Sequence, residues 1–146
     1  MATEDLNGAI ARIQDIVDAI TTVKFKSFPD FPIENASAFP MSIAYLAGGQ
    51  FHAVNATMLL NFPVINVECH FSRVSLEQAY TQINAVAKDL PKRLAADPTL
   101  NATVETIVFS GDQPISYTVR PYEWGKVTSQ MLLFAIPVKM LQTPST

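Results

Sequence analysis

The side chains best suited to chemistry lie together in one short segment, Glu68-Cys69-His70. Glu68 and His70 are two residues apart, so in a strand they point to the same face and can form a hydrogen-bonded pair. Two ligands are fewer than the three or four that a zinc site needs, which favours a structural pair. Cys69 falls on the opposite, apolar face and has no neighbouring base in the sequence, which predicts a buried, unreactive thiol.

Sequence motifs of the common enzyme classes are absent from the chain. It contains no G-x-S-x-G, no P-loop, no G-x-G-x-x-G and no H-E-x-x-H. Gly48-Gly49-Gln50 does not open a helix and therefore lacks the setting that binds phosphate. We predict that the protein is not an enzyme and that it has no catalytic residues, no metal site and no cofactor.

The composition favours a protein that works by assembling with others. Charged residues make up 16% of the chain and hydrophobic residues 49%, whereas an average soluble protein has about 25% charged residues. Large bare apolar patches are uncommon on soluble monomers. We therefore expect an obligate oligomer or a subunit of a larger assembly, with a well-filled monomer as the alternative.

Charge and cysteine content restrict the partners. The net charge is -3 and the ten basic residues are scattered, which gives no footprint for nucleic acid. The single Cys69 cannot form an intramolecular disulfide and fits a reducing cytoplasm. The N-terminal segment carries acids where a signal peptide carries bases, and no run approaches the ~18 apolar residues of a membrane span. We expect neither secretion nor a membrane partner.

Two stretches have the periodicity of amphipathic helices. Apolar residues recur at spacings of four and three from Leu6 to Ile20, which predicts a helix from about Thr3 to Thr22. A second stripe runs from Leu76 to Leu94 and is preceded by Ser75, which has the spacing of a capping box with Gln78. Pro91 predicts a kink, or a break into a second short helix, near Leu90.

The remaining patterns predict strands and turns. The predicted strands are 41–47, ending at Gly48-Gly49, then 58–62, 64–72, 103–109, 115–120 and 126–140. Pro63 makes the second and third of these either separate strands or one strand bent by a bulge near a sheet edge. We predict one α+β domain over residues 1–146, with a mixed or antiparallel sheet of about four to six strands and two main helices packed on one face. Residues 1–4 and 141–146 are expected to be flexible.

Aromatic residues in the predicted loops are candidates for contacts with partners. The segment 27–40 contains Pro29, Pro32 and Pro40, which exclude a helix or an inner strand. The phenylalanines of this segment therefore either anchor the loop or form a contact surface. A lone tryptophan in a predicted loop with Pro121 either covers the end of the core or anchors an interface. The candidate interface residues are Phe28, Phe31, Phe51, His52, Tyr122 and Trp124.

The order of these elements resembles the tail terminator proteins of long-tailed bacteriophages. The shared features are a helix, a proline-rich loop, Phe39-Pro40 before a short strand with a bend at Gly48, a long strand pair, an amphipathic helix, and a closing segment with a tryptophan and a strand. The resemblance is one of arrangement and length, and it covers roughly Asp5 to Met140. The aromatic segment from Phe25 to Phe39 has no counterpart in it.

The resemblance implies a virion protein of the tail or neck that is assembled in the host cytoplasm. Such a protein forms a hexameric ring that caps the tail tube, ends tube polymerisation and joins the tail to the head. Its partners would be copies of itself, the tail tube protein, a head-completion or neck protein and, in contractile tails, the sheath protein. DNA would pass through the ring without sequence-specific recognition, and the loops 26–38 and 49–55 would contact neighbouring subunits.

Three alternatives stay open. One is a different neck or minor tail component, such as a head-tail joining protein. Another is a cytoplasmic α+β module that binds a small apolar ligand between helix and sheet, and the last is an uncharacterised enzyme.

Overall fold

Two helices and five strands make up the part of the chain that the computed structural model describes, residues 4–29, 32–33 and 38–143. The helices are α1 (Leu6–Asp18) and α2 (Leu76–Ala95). The strands are β1 (Met41–Asn55), β2 (Met58–Ser72), β3 (Thr106–Ile107), β4 (Ser116–Trp124) and β5 (Val127–Gln142). The five strands form one antiparallel sheet, which confirms the predicted α+β class.

Helix α1 is shorter than the sequence pattern predicts. It begins after Asp5, whose carboxylate accepts a hydrogen bond from the backbone N–H of Gly8 at 2.9 Å. It ends at Asp18, although the apolar pattern continues to Ile20. The predicted end at Thr22 is wrong, because the β-branched run 21–23 disfavours a further helical turn and the buried Ile20 reaches the core from irregular backbone.

Helix α2 follows the sequence pattern closely. The Oγ atom of Ser75 accepts a hydrogen bond from the backbone N–H of Gln78 at 3.3 Å, so this serine caps the helix as predicted. The helix continues through Pro91 to Ala95, and the predicted alternative of two separate helices is wrong. Leu90 and Leu94 are fully buried on either side of the proline, and their packing offsets the lost backbone hydrogen bond.

The strand order places β2 and β5 in the middle of the sheet. The order is β1-β2-β5, and both β3 and β4 pair with the other side of β5. Strand β4 pairs with the first part of β5, and β3 pairs with Val138 and Lys139 near its end. The long outer strands of the sheet are therefore β1 and β4.

The glycine pair in β1 forms a bulge instead of ending the strand. The pairing of β1 with β2 shifts by one residue between Leu46 and Gly48, and β1 then continues to Asn55. A Cβ atom at Gly49 would lie 2.8 Å from the Cα of Pro63, so only glycine fits this close approach. The predicted end of the strand at Gly48-Gly49 is thus wrong, since the glycines accommodate a proline on the neighbouring strand.

Strand β2 is a single inner strand that runs through Pro63. The prediction of two separate strands is wrong, and so is the prediction of an edge position, because β2 pairs with β1 on one side and β5 on the other. The bend lies in β1, opposite the proline. The hairpin turn follows Asn55, whose side-chain oxygen accepts hydrogen bonds from the backbone N–H and the hydroxyl of Thr57, both at 2.8 Å.

The segment after α2 is mostly turn. The predicted strand 103–109 is reduced to β3, because the N–H groups of Thr103 and Val104 bond back to the carbonyl of Thr99 at 3.1 and 3.2 Å. Within this turn, residues 100–102 adopt left-handed backbone with φ of 49°, 58° and 63°. The carboxylate of Asp97 holds this turn by accepting hydrogen bonds from the N–H of Asn101 at 3.0 Å and from Nε of Arg12 at 2.7 Å. The turn is thereby tied to α1.

The last two strands are longer than predicted. Pro121 and Trp124 lie within β4 and not in a loop, and the hairpin turns at Gly125, which has a φ of 65°. Strand β5 extends to Gln142, so residues 141–142, which were expected to be flexible, pair with β2. Residues 1–3 and 144–146 of the predicted flexible ends lie outside the described residues.

Both helices pack on one face of the sheet, where they cover the main core. This side contains the alternating residues of β2 and β5 together with the apolar stripes of α1 and α2. Its largest fully buried side chains include Phe71, Phe134, Ile13, Ile20, Ile65, Leu90 and Leu94. Cys69 is among the buried residues of this core, as the sequence predicted.

Replacing Ile83 by aspartate should unfold the protein. Ile83 lies on the buried face of α2. An unpaired carboxylate at this position should lower the free energy of unfolding by more than about 3 kcal/mol. The neighbouring Asn84→Asp variant is the matched control, because Asn84 is exposed on the same helix. Urea unfolding of the soluble fractions measures the difference. Equal midpoints for the two variants would show that the packing of α2 is misassigned.

Candidate assembly surface

The β1–β2 hairpin extends beyond the helices that cover the rest of the sheet. We call residues 46–62 the distal hairpin. The start of β1, residues 41–44, is buried, whereas every residue from Leu46 to Met58 is exposed. The hairpin is therefore held at its base by the core, while its outer part has no cover from the described residues of its own chain.

The distal hairpin is uncharged and apolar. No Asp, Glu, Lys or Arg occurs between Glu34 and Glu68. Phe51 is 72% exposed, Val54 52% and Leu46 49%. A sheet face that meets water normally carries polar side chains, and apolar surface of this kind marks interaction sites.

Both faces of the distal hairpin carry apolar side chains. Phe51 pairs with Asn61 on one face, and on the other face Gln50 pairs with Phe62. His52 lies on the second face with Leu60, and its ring stands edge-on to Phe62 at 5.8 Å between centroids. Both faces of the distal hairpin are therefore partly apolar.

The two outer strands of the sheet differ in how they meet solvent. Strand β4 carries Arg120, Pro121 and Glu123, which are features that keep natural edge strands from pairing with other chains. Strand β1 carries neither charge nor proline. Among the described residues only Ser27 pairs with the outer side of β1, next to Met41. Strand β1 is thus the open edge.

A groove of about 820 Å³ lies beside the open edge, between β1 and α1. Its apolar lining includes Leu6, Ile10, Ala11, Phe28, Ala44 and Leu46. Asp15 and Asp18 add carboxylates to the lining, and none of the described residues that line the groove is Lys or Arg. The groove combines an apolar floor with negative charge.

A chain of hydrogen bonds crosses four strands on the sheet face opposite the helices. Tyr45 of β1 donates its hydroxyl hydrogen to Glu68 of β2. The other carboxylate oxygen lies 2.9 Å from Nε2 of His70, which confirms the predicted pair, and Nδ1 of His70 lies 2.7 Å from Oγ of Ser129 on β5. Nε1 of Trp124 on β4 donates to the same Oγ at 3.0 Å.

The hydrogen bonds determine the charge state of Glu68. Burial is the largest influence and raises its pKa, but hydrogen bonds from His70 and Tyr45, together with charge interactions that include Arg120, lower it, and the pKa lies below the ordinary value. An ionised carboxylate needs donors, so we place the proton of His70 on Nε2 and let Nδ1 accept the hydroxyl hydrogen of Ser129. Burial and the bond to Glu68 raise the pKa of Tyr45 to about 12.

Ser129, His70 and Glu68 are the residue types of a hydrolytic triad, but their setting is structural. Ser129 and His70 have no exposed surface, so a substrate cannot reach the hydroxyl. The hydroxyl oxygen also accepts the Trp124 hydrogen bond. Burial raises the pKa of the Cys69 thiol to about 12, which keeps it protonated and unreactive.

Two further observations concern the described part of the chain. No group of three or more His, Cys, Asp or Glu side chains there is arranged to hold a metal ion. Neither helix is long and apolar enough to cross a membrane.

The structure separates the candidate interface residues proposed from the sequence. Phe51 and His52 lie exposed in the distal hairpin. Phe28 is half-buried, packs on Phe25 at 5.8 Å between ring centroids, and lines the groove. Phe31, with much of the predicted contact loop, lies outside the described residues.

Tyr122 and Trp124 lie away from the distal hairpin. Their rings stand edge-on to His70, with centroids 5.2 Å and 4.8 Å away. Trp124 is only 5% exposed and covers this end of the sheet, which is the first of the two roles considered for it. Leu46 and Met58 were missed, and Val54 was included only as part of the predicted contact segment 49–55. The long uncharged stretch of the sequence was the signal that could have identified all three.

A scan against protein-family models and a search of curated protein sequences each found no match.

The stability contributed by Glu68 should depend on pH in the acid range. The pKa of Glu68 is lowered by folding, so its contribution is present above the ordinary value of 4.5 and is lost as pH falls through the lowered value. Glu68→Gln should cost about 2 kcal/mol near neutral pH and progressively less in acid. Urea unfolding across that range measures this, with the exposed Glu123→Gln as control. A cost for Glu68→Gln that does not fall in acid would contradict the assignment.

Proposed function

We propose that this protein is a structural subunit that assembles with copies of itself into a ring, using the distal hairpin as its main contact. The observation that carries the proposal is the exposure of a long, uncharged hairpin with apolar side chains on both faces. Burying a single large apolar side chain contributes about 1.5–3 kcal/mol. A free subunit leaves several such side chains in water.

A ring satisfies this surface better than an isolated subunit. In a ring each subunit gives one hairpin to a neighbour and receives one from the other side, so no hairpin remains in water. Side-chain hydrogen bonds hold the base of the hairpin in place. The Tyr45–Glu68 bond links β1 to β2, and the His70–Ser129 bond links β2 to β5. A rigid base reduces the entropy lost on assembly.

The particular ring we propose is the hexameric tail terminator of a long-tailed phage. Support comes from the resemblance of element order and from the two-helix, five-strand antiparallel architecture, which is consistent with it. The ring would cap the tail tube, end its polymerisation and bind the head-completion or neck protein and, in contractile tails, the sheath protein. Another neck or minor tail ring, such as a head-tail joining protein, would use the same surface.

A second candidate function is binding of a small apolar ligand between helix and sheet. The groove between α1 and β1 favours it, because about 820 Å³ falls within the range of small-molecule sites. This function uses the distal hairpin only at Leu46, at its base, and makes no use of its outer part. The two candidates therefore differ in what happens when the hairpin is changed.

Replacing Phe51 by serine should abolish assembly and spare folding. Phe51 is mostly exposed within the subunit, whereas an aromatic contact at an interface contributes about 1 to 3 kcal/mol. Phe109→Ser is the matched control, because Phe109 is 42% exposed and lies outside the hairpin. We expect hexamers for the unchanged protein and the control, and monomers with a normal melting curve for Phe51→Ser, by native mass spectrometry.

Other outcomes discriminate among the proposals. A monomer at every concentration for the unchanged protein would refute self-assembly, and vesicle binding by that monomer would assign the hairpin to a membrane. A stable oligomer of another size would retain self-assembly but refute the tail terminator. Electron micrographs of six-fold rings with a central hole would support it.

A further inference from the structure

We infer that the groove beside β1 of one subunit receives the distal hairpin of the next subunit. The inference rests on the proposed self-assembly and specifies the receiving surface. The groove adjoins the open edge of β1 at Ala44, Tyr45 and Leu46. A strand arriving there can add main-chain hydrogen bonds to the edge and place alternate side chains in the groove.

The negative charge of the groove lining favours the distal hairpin as its occupant. The carboxylates of Asp15 and Asp18, without a basic residue in the lining, disfavour any incoming segment that carries Asp or Glu. The distal hairpin carries neither, and the imidazole of His52 can donate a hydrogen bond to a carboxylate.

The other exposed apolar positions of the described chain lie close to acidic or basic side chains. Phe109 lies near Asp112, and Leu76 is next to Glu77. Tyr117 and Val119 share β4 with Arg120 and Glu123. Val74 and Val127 stand next to Arg73 and Lys126, whose charge the groove does not disfavour, but each is a single apolar position. The distal hairpin holds the longest run of exposed residues among those described, and it carries no Asp or Glu.

Geometry makes the contact intermolecular. The groove lies at the base of the hairpin, and Val54 is eight residues along the strand from Leu46, about 26 Å at about 3.3 Å per residue. Because β1 and β2 stay paired as far as Asn55 and Met58, the tip of the hairpin cannot fold back into its own groove. Hairpin and groove share only Leu46, so a subunit that gives its hairpin to one neighbour can receive a hairpin from another. Such a contact is head-to-tail, the type that closes rings, whereas a reciprocal exchange between two subunits would stop at a dimer.

Two variants test the pairing of hairpin and groove. Phe51→Ser changes the hairpin. Ala11→Glu fills the groove with a carboxylate from an exposed position of α1 where glutamate suits a helix. Asn84→Glu, at an exposed position of α2, is the matched control. Each test variant should weaken self-association by more than about tenfold, and the control should leave it unchanged.

Mixing the two variants gives the sharpest readout. The intact hairpin of Ala11→Glu can enter the intact groove of Phe51→Ser, but the opposite contact combines both changes and fails. We therefore expect an equimolar mixture to form one-to-one pairs and no rings. Native mass spectrometry with one variant isotopically labelled identifies such a pair.

The failures of this inference and of the proposed function differ. If Phe51→Ser is monomeric while Ala11→Glu assembles normally, self-assembly stands and the groove is not the receiving surface. If both are monomeric and the mixture forms no pair, hairpin and groove do not bind each other. If Ala11→Glu abolishes Nile red binding but not assembly, the groove holds a small ligand. A monomeric unchanged protein overturns both proposals.

Discussion

The structure depends on a mismatch between the lengths of its strands and the extent of its helices. Strands β1 and β2 each run for 15 residues, but α1 and α2 cover only the part of the sheet near Ala44 and Val67. The outer part of the hairpin cannot be buried by the described residues of its own chain. Its uncharged, apolar side chains are therefore exposed to solvent at a cost in free energy. Burying them against a second chain would remove that cost, and this is the physical basis of the association that we propose.

The hydrogen-bonded chain from Tyr45 to Trp124 explains how the sheet stays rigid where helices do not cover it. It links β1, β2, β5 and β4 on the face opposite the helices, and no buried side-chain donor or acceptor among the described residues is left without a partner. A fully satisfied network of this kind specifies one arrangement of strands. It connects the strands at the base of the hairpin, so the assembly that we propose would not require the subunit to refold.

The sequence predicted the elements that depend on local patterns and missed those that depend on contacts across the sheet. The stripe of α2, its Ser75 cap and the Glu68–His70 pair follow from spacing alone, and all three are present. Gly48-Gly49 and Pro63 each indicate an interruption when read locally. Paired across two strands they accommodate each other, so both strands continue. The groove could not be predicted from the sequence, because its shape depends on how α1 is placed relative to β1 in the folded chain.

Hydrogen–deuterium exchange at increasing protein concentration tests the central claim most directly, because it reports which backbone amides become protected when subunits associate. If the distal hairpin is the contact, amides of residues 46–58 should gain protection as the oligomer forms, while those of α2 keep the same exchange rates. Growth of the oligomer with unchanged exchange in the hairpin would contradict the account, because subunits would then associate through another surface.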